Sequence, residues 1–180
     1  MSFHTLLGAF PIAPSGDSLE PKPNARVGEV RASSRSGALF HAVGGLLNAL
    51  PGHEVLRFVA HEAASLPQWQ TDSQTRWTLL DPATASVVIA ALDSLLVACD
   101  QRVDDLTSRV SFGADQLNAA ELRHALRSAL ESMDLNSATV FGEDGDTAGY
   151  VFAVLAGLRE LLRRAGAEQE RIAVFTWAPA

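Results

Sequence analysis

Apolar residues recur every three or four positions along most of the chain after residue 36, and this spacing places them on one face of an α-helix. The pattern predicts a first helix over 39–50 and a second over 53–66. A third predicted helix begins at Pro82, behind an Asp81 cap, and continues to about residue 106. Because that helix is apolar on nearly all sides before Asp100, we expect it to be central and buried.

The second half of the chain alternates between helical and strand patterns. A fourth helix is predicted over about 118–133, and the short β-branched run 138–141 predicts a strand. Asp146 or Thr147 then begins a long amphipathic helix, and residues 171–177 predict a C-terminal strand. A strand, a helix and a strand in this order indicate a crossover unit, in which the two strands lie parallel in one sheet.

The N-terminal part of the chain has a different composition. Residues 11–36 are rich in proline, glycine and serine, which is typical of an extended arm or loop. Segments 3–10 and 25–30 predict two edge strands that pair with each other. Further along, residues 69–80 predict a connecting loop that leads into a short strand.

Together these patterns predict a predominantly helical α+β fold. Four to five helices surround the central helix (about 82–106), and a small sheet includes the C-terminal strand (about 171–177). At 180 residues with 47% hydrophobic content, the chain is long enough to bury one sizeable core. We expect residues 1–36 to form the arm and residues 37–180 to form a single helix-rich globular domain.

The charge and cysteine content disfavour several classes of partner. A net charge of −7 disfavours binding to nucleic acid or to an anionic membrane, since both depend on clustered basic residues. Cys99 is the sole cysteine and lies in an apolar run, so neither a disulfide framework nor a thiolate metal site is expected. The apolar stretch near the N-terminus lacks a basic flank and is broken by Pro11. We therefore expect a cytoplasmic protein that uses no cofactor.

The most unusual local feature is the acidic loop, which we define as Glu143, Asp144, Gly145 and Asp146. Its simplest role is to cap the following helix, since carboxylates accept hydrogen bonds from the free N–H groups of a first turn. A second interpretation is a divalent cation site on Asp144 and Asp146, although further ligands are missing nearby. The third is a docking surface for a cationic partner.

A second candidate surface lies on the helix predicted over 53–66. His53, Arg57 and His61 recur at intervals of four residues and would share one helical face. An ordinary solvated face explains such a set, and if it has a function we expect binding and not catalysis. The sequence contains no nucleophile motif, no phosphate loop and no histidine pair with metal-ligand spacing. No metal site and no catalytic residue are therefore predicted.

These features favour a protein-binding module over an enzyme. The most concrete hypothesis is an immunity or antitoxin-type inhibitor of the bacterial kind, which neutralises a toxin that has a basic surface. Glu143, Asp144 and Asp146 would pair with basic side chains of the partner, while Tyr150 and Trp177 would supply apolar anchors. One alternative is a metal-dependent enzyme or small-ligand domain that uses the same loop. Another is a scaffold or self-associating subunit.

Overall fold

This computed structural model describes residues 4–13, 21–22, 27–113, 116–131, 139–140 and 147–180. The described residues contain six strands and six helices. The strands are β1 (His4–Ile12), β2 (Val30–Arg35), β3 (Gln68–Gln70), β4 (Thr75–Leu80), β5 (Thr139–Val140) and β6 (Arg171–Trp177). The helices are α1 (Ala38–Ala49), a 3-10 helix (Glu54–Ala60), α2 (Pro82–Gln101), α3 (Val103–Arg109), α4 (Ala119–Glu131) and α5 (Ala148–Ala167). The predicted α+β class, with the C-terminal strand in the sheet, is confirmed.

The strands form one sheet in the order β3-β4-β6-β1-β2-β5. Neighbouring strands are antiparallel except β2 and β5, which run parallel. β1 lies between β6 and β2, so the expectation that the N-terminal strands form an edge is wrong for β1. The reason is that β1 buries side chains on both faces of the sheet, with Leu7 on one face and Phe10 on the other.

The second N-terminal strand lies further along the chain than predicted. β2 covers Val30–Arg35, whereas the sequence pattern predicted 25–30, so Ser33 and Ser34 are strand residues and not part of a loop. Ser34 is fully buried, and its hydroxyl oxygen lies 2.8 Å from the hydroxyl oxygen of Thr5. Because the two hydroxyls satisfy each other, the sheet can bury these polar side chains.

The predicted crossover unit is present. β5 runs parallel to β2, β2 is antiparallel to β1, and β1 is antiparallel to β6. β5 and β6 are therefore parallel strands joined by α5, with β2 and β1 between them in the sheet. α5 contacts both β2 and β6, so it lies over the middle of the sheet.

The helix with the largest number of buried residues is α5, and not the helix that begins at Pro82. Eleven of the twenty residues of α5 are buried, against six of the twenty residues of α2. α2 also ends at Gln101, so the predicted central helix over 82–106 is corrected to two helices, α2 and α3. Val87 and Val97 of α2 are exposed, which shows that an apolar run does not require burial on all sides. By length and composition α2 could cross a membrane, a property that core helices share.

An ion-pair cluster links the two long helices. The carboxylate of Asp93, on α2, accepts hydrogen bonds from Arg159 at 3.2 Å and from Arg163 at 2.9 Å, both on α5. The acidic side chain in the apolar run of α2 is thus neutralised by the neighbouring helix.

The helix predicted over 53–66 is a short 3-10 helix instead. It ends at His61, whose φ of 60° is left-handed, and the N–H of Glu62 returns to the carbonyl oxygen of Arg57 at 3.1 Å. The His61 N–H bonds to the carbonyl oxygen of Phe58 at 3.2 Å. This pair of hydrogen bonds is a common way for a helix to end. The left-handed residue after the helix is most often glycine, and here it is His61.

The buried hydroxyl of Ser34 also caps the N-terminus of α1. It accepts a hydrogen bond from the N–H of Leu39 at 3.1 Å, while Gly37, at the cap position of α1, has no side chain to offer. Ser34→Ala would leave this N–H without its partner and would remove one of the two partners of the Thr5 hydroxyl, which also donates to the Ser34 carbonyl oxygen, so we expect the free energy of unfolding to fall by about 1–3 kcal/mol. Urea denaturation measures this change.

Ser33→Ala is the matched control for that substitution. The Ser33 side chain points to the opposite face of the sheet, and we expect its removal to change the free energy of unfolding by less than about 0.5 kcal/mol. Equal effects of the two substitutions would show that the Ser34 hydroxyl is not a structural cap.

Candidate functional site

The described helices cover one face of the sheet, and none of them covers the other face. Leu7 and Val174 belong to the large core that includes the helices. Phe10, Trp77 and Phe175 belong to a smaller cluster that contains strand residues only, among the residues that the structure describes. We define the open face as the side chains on this second side: Leu6, Phe10, Trp69, Trp77, Leu79, Phe175 and Trp177.

The open face holds all three tryptophans of the chain. Trp69 lies on β3, Trp77 on β4 and Trp177 on β6, and the strand register places them on the same side. Trp69 is 46% exposed and Leu6 is 39% exposed, which makes them two of the four large apolar side chains that are most exposed in the described chain. An aromatic surface of this kind is unusual on a monomer and commonly marks an interaction site.

One row of residues in register runs across the strands on this face. In register across five strands lie, in order, Trp69, Trp77, Phe175, Gly8 and Arg31. The ring of Phe175 lies directly over Gly8, because a Cβ atom at residue 8 would be only 2.0 Å from its Cε1 atom. The centroids of Trp77 and Phe175 are 5.2 Å apart. A glycine in the strand therefore makes room for the aromatic cluster.

A shallow apolar groove of about 300 Å³ lies on the open face. Its lining residues are Leu6, Thr75, Trp77, Phe175 and Trp177. The hydroxyl of Thr75, the one polar side-chain group apart from the indoles, donates a hydrogen bond to Asp72. The accessible surface of the groove is almost wholly apolar.

The hairpin turn between β3 and β4 is held by Asp72. One carboxylate oxygen accepts the N–H groups of Gln74 and Thr75, each at 2.7 Å. These two backbone hydrogen bonds lower the pKa of Asp72 below its usual value. The turn fixes the register that sets Trp69 opposite Trp77.

Of the predicted partner-binding residues, Trp177 lies on the open face and Tyr150 does not. The Tyr150 hydroxyl accepts the N–H of Ser33 and donates to the Ser33 carbonyl oxygen, both at 2.8 Å. The side chain thus ties α5 to β2, and burial raises its pKa. Tyr150 therefore makes a structural contact within the chain, and its role as an apolar anchor for a partner stays a prediction.

The acidic residues of the predicted site, Glu143, Asp144 and Asp146, lie outside the described residues. The helix that follows them is capped by Thr147, whose hydroxyl accepts the N–H of Tyr150 at 3.2 Å. Capping of α5 therefore does not require Asp146.

The predicted face of His53, Arg57 and His61 does not exist as a common surface. His53 is buried, and its ring nitrogens contact the carbonyl oxygen of Leu50 and the hydroxyl of Ser94. Arg57 pairs with a carboxylate, whereas the ring of His61 turns inward. The reason is the 3-10 geometry, in which residues four apart no longer align on one side.

His61 instead packs against the inner side of the sheet. Its ring stacks on Phe40, with centroids 5.4 Å apart, and its Nδ1 atom lies 2.8 Å from the hydroxyl oxygen of Thr176. Burial, with a smaller effect from the nearby Arg76 charge, lowers the pKa of His61.

The described residues show no arrangement of side chains for metal binding and no activated cysteine. Among them, no group of three or more histidine, cysteine, aspartate or glutamate side chains could hold a metal ion. Burial raises the pKa of the Cys99 thiol to about 12, so this cysteine is not a nucleophile.

Comparison with known proteins gives no further guide: no family model, no curated protein and no solved structure matches this chain. The function must therefore be inferred from the surface itself.

Sequence reasoning missed most of the open face. Trp69, Trp77 and Phe175 were not predicted as site residues, although residues 75, 77 and 79 and residues 173, 175 and 177 alternate as strand residues do. The alternation shows that each strand has two faces. It does not show that β4 and β6 are neighbours, and this pairing is what creates the aromatic surface.

Gly8→Ala tests the packing of the aromatic row. The added methyl group would force the Phe175 ring away from the strand, so we expect the free energy of unfolding to fall by about 1–3 kcal/mol. Chemical denaturation measures this loss, and the native tryptophan emission should shift because Trp77 contacts the displaced ring.

Gly166→Ala is the control for that change, since nothing lies within 4 Å of the position that its Cβ would occupy. In a helix this substitution should be neutral or should stabilise the protein by up to about 1 kcal/mol. An unchanged stability of the Gly8→Ala protein would contradict the proposed packing of Phe175 over residue 8.

The lowered pKa of His61 predicts a pH dependence of stability. Below about pH 6.5 the unfolded chain binds a proton at this histidine that the folded chain does not bind, so the free energy of unfolding falls as the pH drops through that range. Above it both states are neutral and His61 contributes no dependence. Asn tolerates the left-handed backbone, so His61→Asn should remove this part of the slope in urea titrations between about pH 8 and about pH 5.5. Identical slopes for both proteins would contradict the assignment.

Proposed function

We propose that this chain is a protein-binding module and that the open face is its docking surface. The observation that carries the proposal is the gathering of all three tryptophans, with Leu6, on the one face of the sheet that no described helix covers. Tryptophan is enriched where proteins bind each other, since it buries a large area at a low cost in conformational entropy. Solvent exposure of such side chains would otherwise favour aggregation.

The immunity or antitoxin-type inhibitor is the most specific form of this proposal. It needs two contact regions: the acidic loop for basic side chains of a toxin, and an apolar anchor. Trp177 supports the second requirement, because it lines the apolar groove. The first rests on Glu143, Asp144 and Asp146, and it remains a prediction.

The two alternatives make different demands. A metal-dependent enzyme needs ligands that would have to come from the acidic loop, since the described residues supply no cluster of them. A self-associating subunit would bury the open face against a second copy, and light scattering would then give the mass of a dimer.

The proposal predicts that a charged residue on the open face abolishes partner binding. Tagged wild-type chain and the Trp177→Asp variant would be used to capture partners from the native lysate, followed by quantitative mass spectrometry. We expect a stoichiometric partner of the wild type to be reduced more than tenfold with the variant, because an aspartate would have to be desolvated in an apolar contact. Circular dichroism checks that the variant is folded.

Two further variants separate this surface from its rivals. Val87→Asp introduces the same charge at an exposed valine of α2 and should leave capture unchanged. A triple alanine variant at Glu143, Asp144 and Asp146 tests the inhibitor hypothesis alone. Undiminished capture by a folded Trp177→Asp protein would refute the open face as the docking surface.

A further inference from the structure

A serine and a histidine from different elements meet at the surface of α2. Ser94, on α2, is exposed, and its hydroxyl oxygen lies 3.1 Å from the Nε2 atom of His53. The Nδ1 atom of the same ring lies 2.8 Å from the carbonyl oxygen of Leu50. His53 itself is only 7% exposed, so the surrounding chain holds its ring in place. An exposed hydroxyl is therefore in contact with a fixed, buried imidazole.

The carbonyl oxygen of Leu50 sets the tautomer of the neutral His53 ring. A carbonyl oxygen only accepts hydrogen bonds, so Nδ1 carries the proton and donates it. In the neutral ring Nε2 then has a free lone pair, and the Ser94 hydroxyl donates its hydrogen to it. A hydroxyl that donates to an imidazole, which a third group orients, is the arrangement of a nucleophile and its general base.

Ser86 shows that this contact is not the one that a serine on α2 makes by default. Its hydroxyl donates to the carbonyl oxygen of Pro82, four residues earlier in the same helix, at 3.0 Å. That local hydrogen bond is common for serine within a helix. Both serines are exposed on α2, but only the Ser94 hydroxyl contacts an imidazole. Ser86 is therefore the matched comparison for Ser94.

The surface of α2 around Ser94 is apolar. Val87 and Ala90 lie seven and four residues before Ser94, and Val97 lies three residues after it, so the four side chains share one face of the helix. All four are exposed, with Val87 at 57% and Val97 at 55%. A group bound at the Ser94 hydroxyl would cover these side chains, which favours an apolar acyl chain.

We propose that Ser94 and His53 form an acyl-transfer site for activated esters and thioesters of apolar acids. The Ser94 oxygen attacks the acyl carbonyl carbon, and His53 Nε2 takes the hydroxyl proton. The bond from this carbon to the leaving oxygen or sulfur then breaks, and the leaving group takes the proton from His53. The product is an acyl ester of Ser94. Water, activated by the same imidazole, hydrolyses this ester to the free acid and restores the serine hydroxyl.

The need for an activated acyl donor follows from the position of Ser94 within α2. The helix runs from Pro82 to Gln101, so the backbone N–H groups near Ser94 form hydrogen bonds within the helix. They are not free to stabilise the oxyanion that forms at the attacked carbonyl group, and one such donor contributes about 10²–10³-fold to the rate. A good leaving group lowers the barrier instead.

Acetylation by p-nitrophenyl acetate tests this inference. The reagent is an activated ester, and peptide mapping by tandem mass spectrometry locates each acetyl group on the chain. We expect Ser94 to be acetylated at least about a hundredfold faster than Ser86 in the same wild-type sample, since a general base contributes about 10²–10⁴-fold. This comparison needs no variant, so it stands even if a substitution disturbs folding. The hexanoate ester should react several-fold faster than the acetate ester.

Two variants assign the roles of the serine and the histidine. Ser94→Ala should abolish the burst of p-nitrophenolate, whereas the control Ser86→Ala should leave it unchanged. His53→Gln keeps a side chain that can form a hydrogen bond to Ser94 but cannot take up its proton. It should therefore slow the acetylation of Ser94 by about a hundredfold. Circular dichroism checks that each variant is folded.

Equal rates of acetylation at Ser94 and Ser86 in the wild-type protein would overturn the inference. An undiminished rate at Ser94 in a folded His53→Gln protein would also overturn it, because the imidazole would then not act as a base. The site is independent of the proposed docking surface, since α2 packs on the covered side of the sheet. Partner capture by the Trp177→Asp variant bears on the open face alone.

Discussion

The pairing of β1 with β6 is the interaction on which the rest of the structure depends. Seven residue pairs, from Leu6–Trp177 to Ile12–Arg171, join the two ends of the chain in the middle of the sheet. Without them the sheet would separate into β3-β4-β6 on one side and β1-β2-β5 on the other. Because the partners are so distant in sequence, their pairing carries a large loop-closure cost, and we expect it to form late in folding.

The same pairing creates the core and the open face together. Side chains alternate between the two faces along each strand. Leu7 and Val174 therefore pack against the helices, and Leu6 and Trp177 lie on the other face of the sheet. An antiparallel sheet with one solvated face normally carries polar residues there. Aromatic residues in their place reduce solubility, and the proposed binding role would explain why this chain keeps them. Phe175 packs over Gly8 and also lines the apolar groove.

Local features of the fold were predictable from the sequence, and long-range ones were not. The cap at Asp81 and the helices α1, α4 and α5 follow from local periodicity, which reports on residues three and four apart. The central position of β1 depends on partners at the other end of the chain. The 3-10 helix ends where His61 takes a left-handed conformation, which residue type alone does not favour. Trp177 was predicted as an anchor, but its neighbours Trp69 and Trp77 could be assigned only from the strand order.

The most direct test of this account is hydroxyl-radical footprinting of the free chain, read out by mass spectrometry residue by residue. If no other part of the chain covers the aromatic side of the sheet, Trp69 and Leu6 should be labelled strongly and Trp77 and Trp177 to an intermediate degree. Phe10, which is 7% exposed, should be protected. Protection of Trp69 and Trp177 in the free monomer would mean that another part of the chain covers this face, and it would contradict the docking surface.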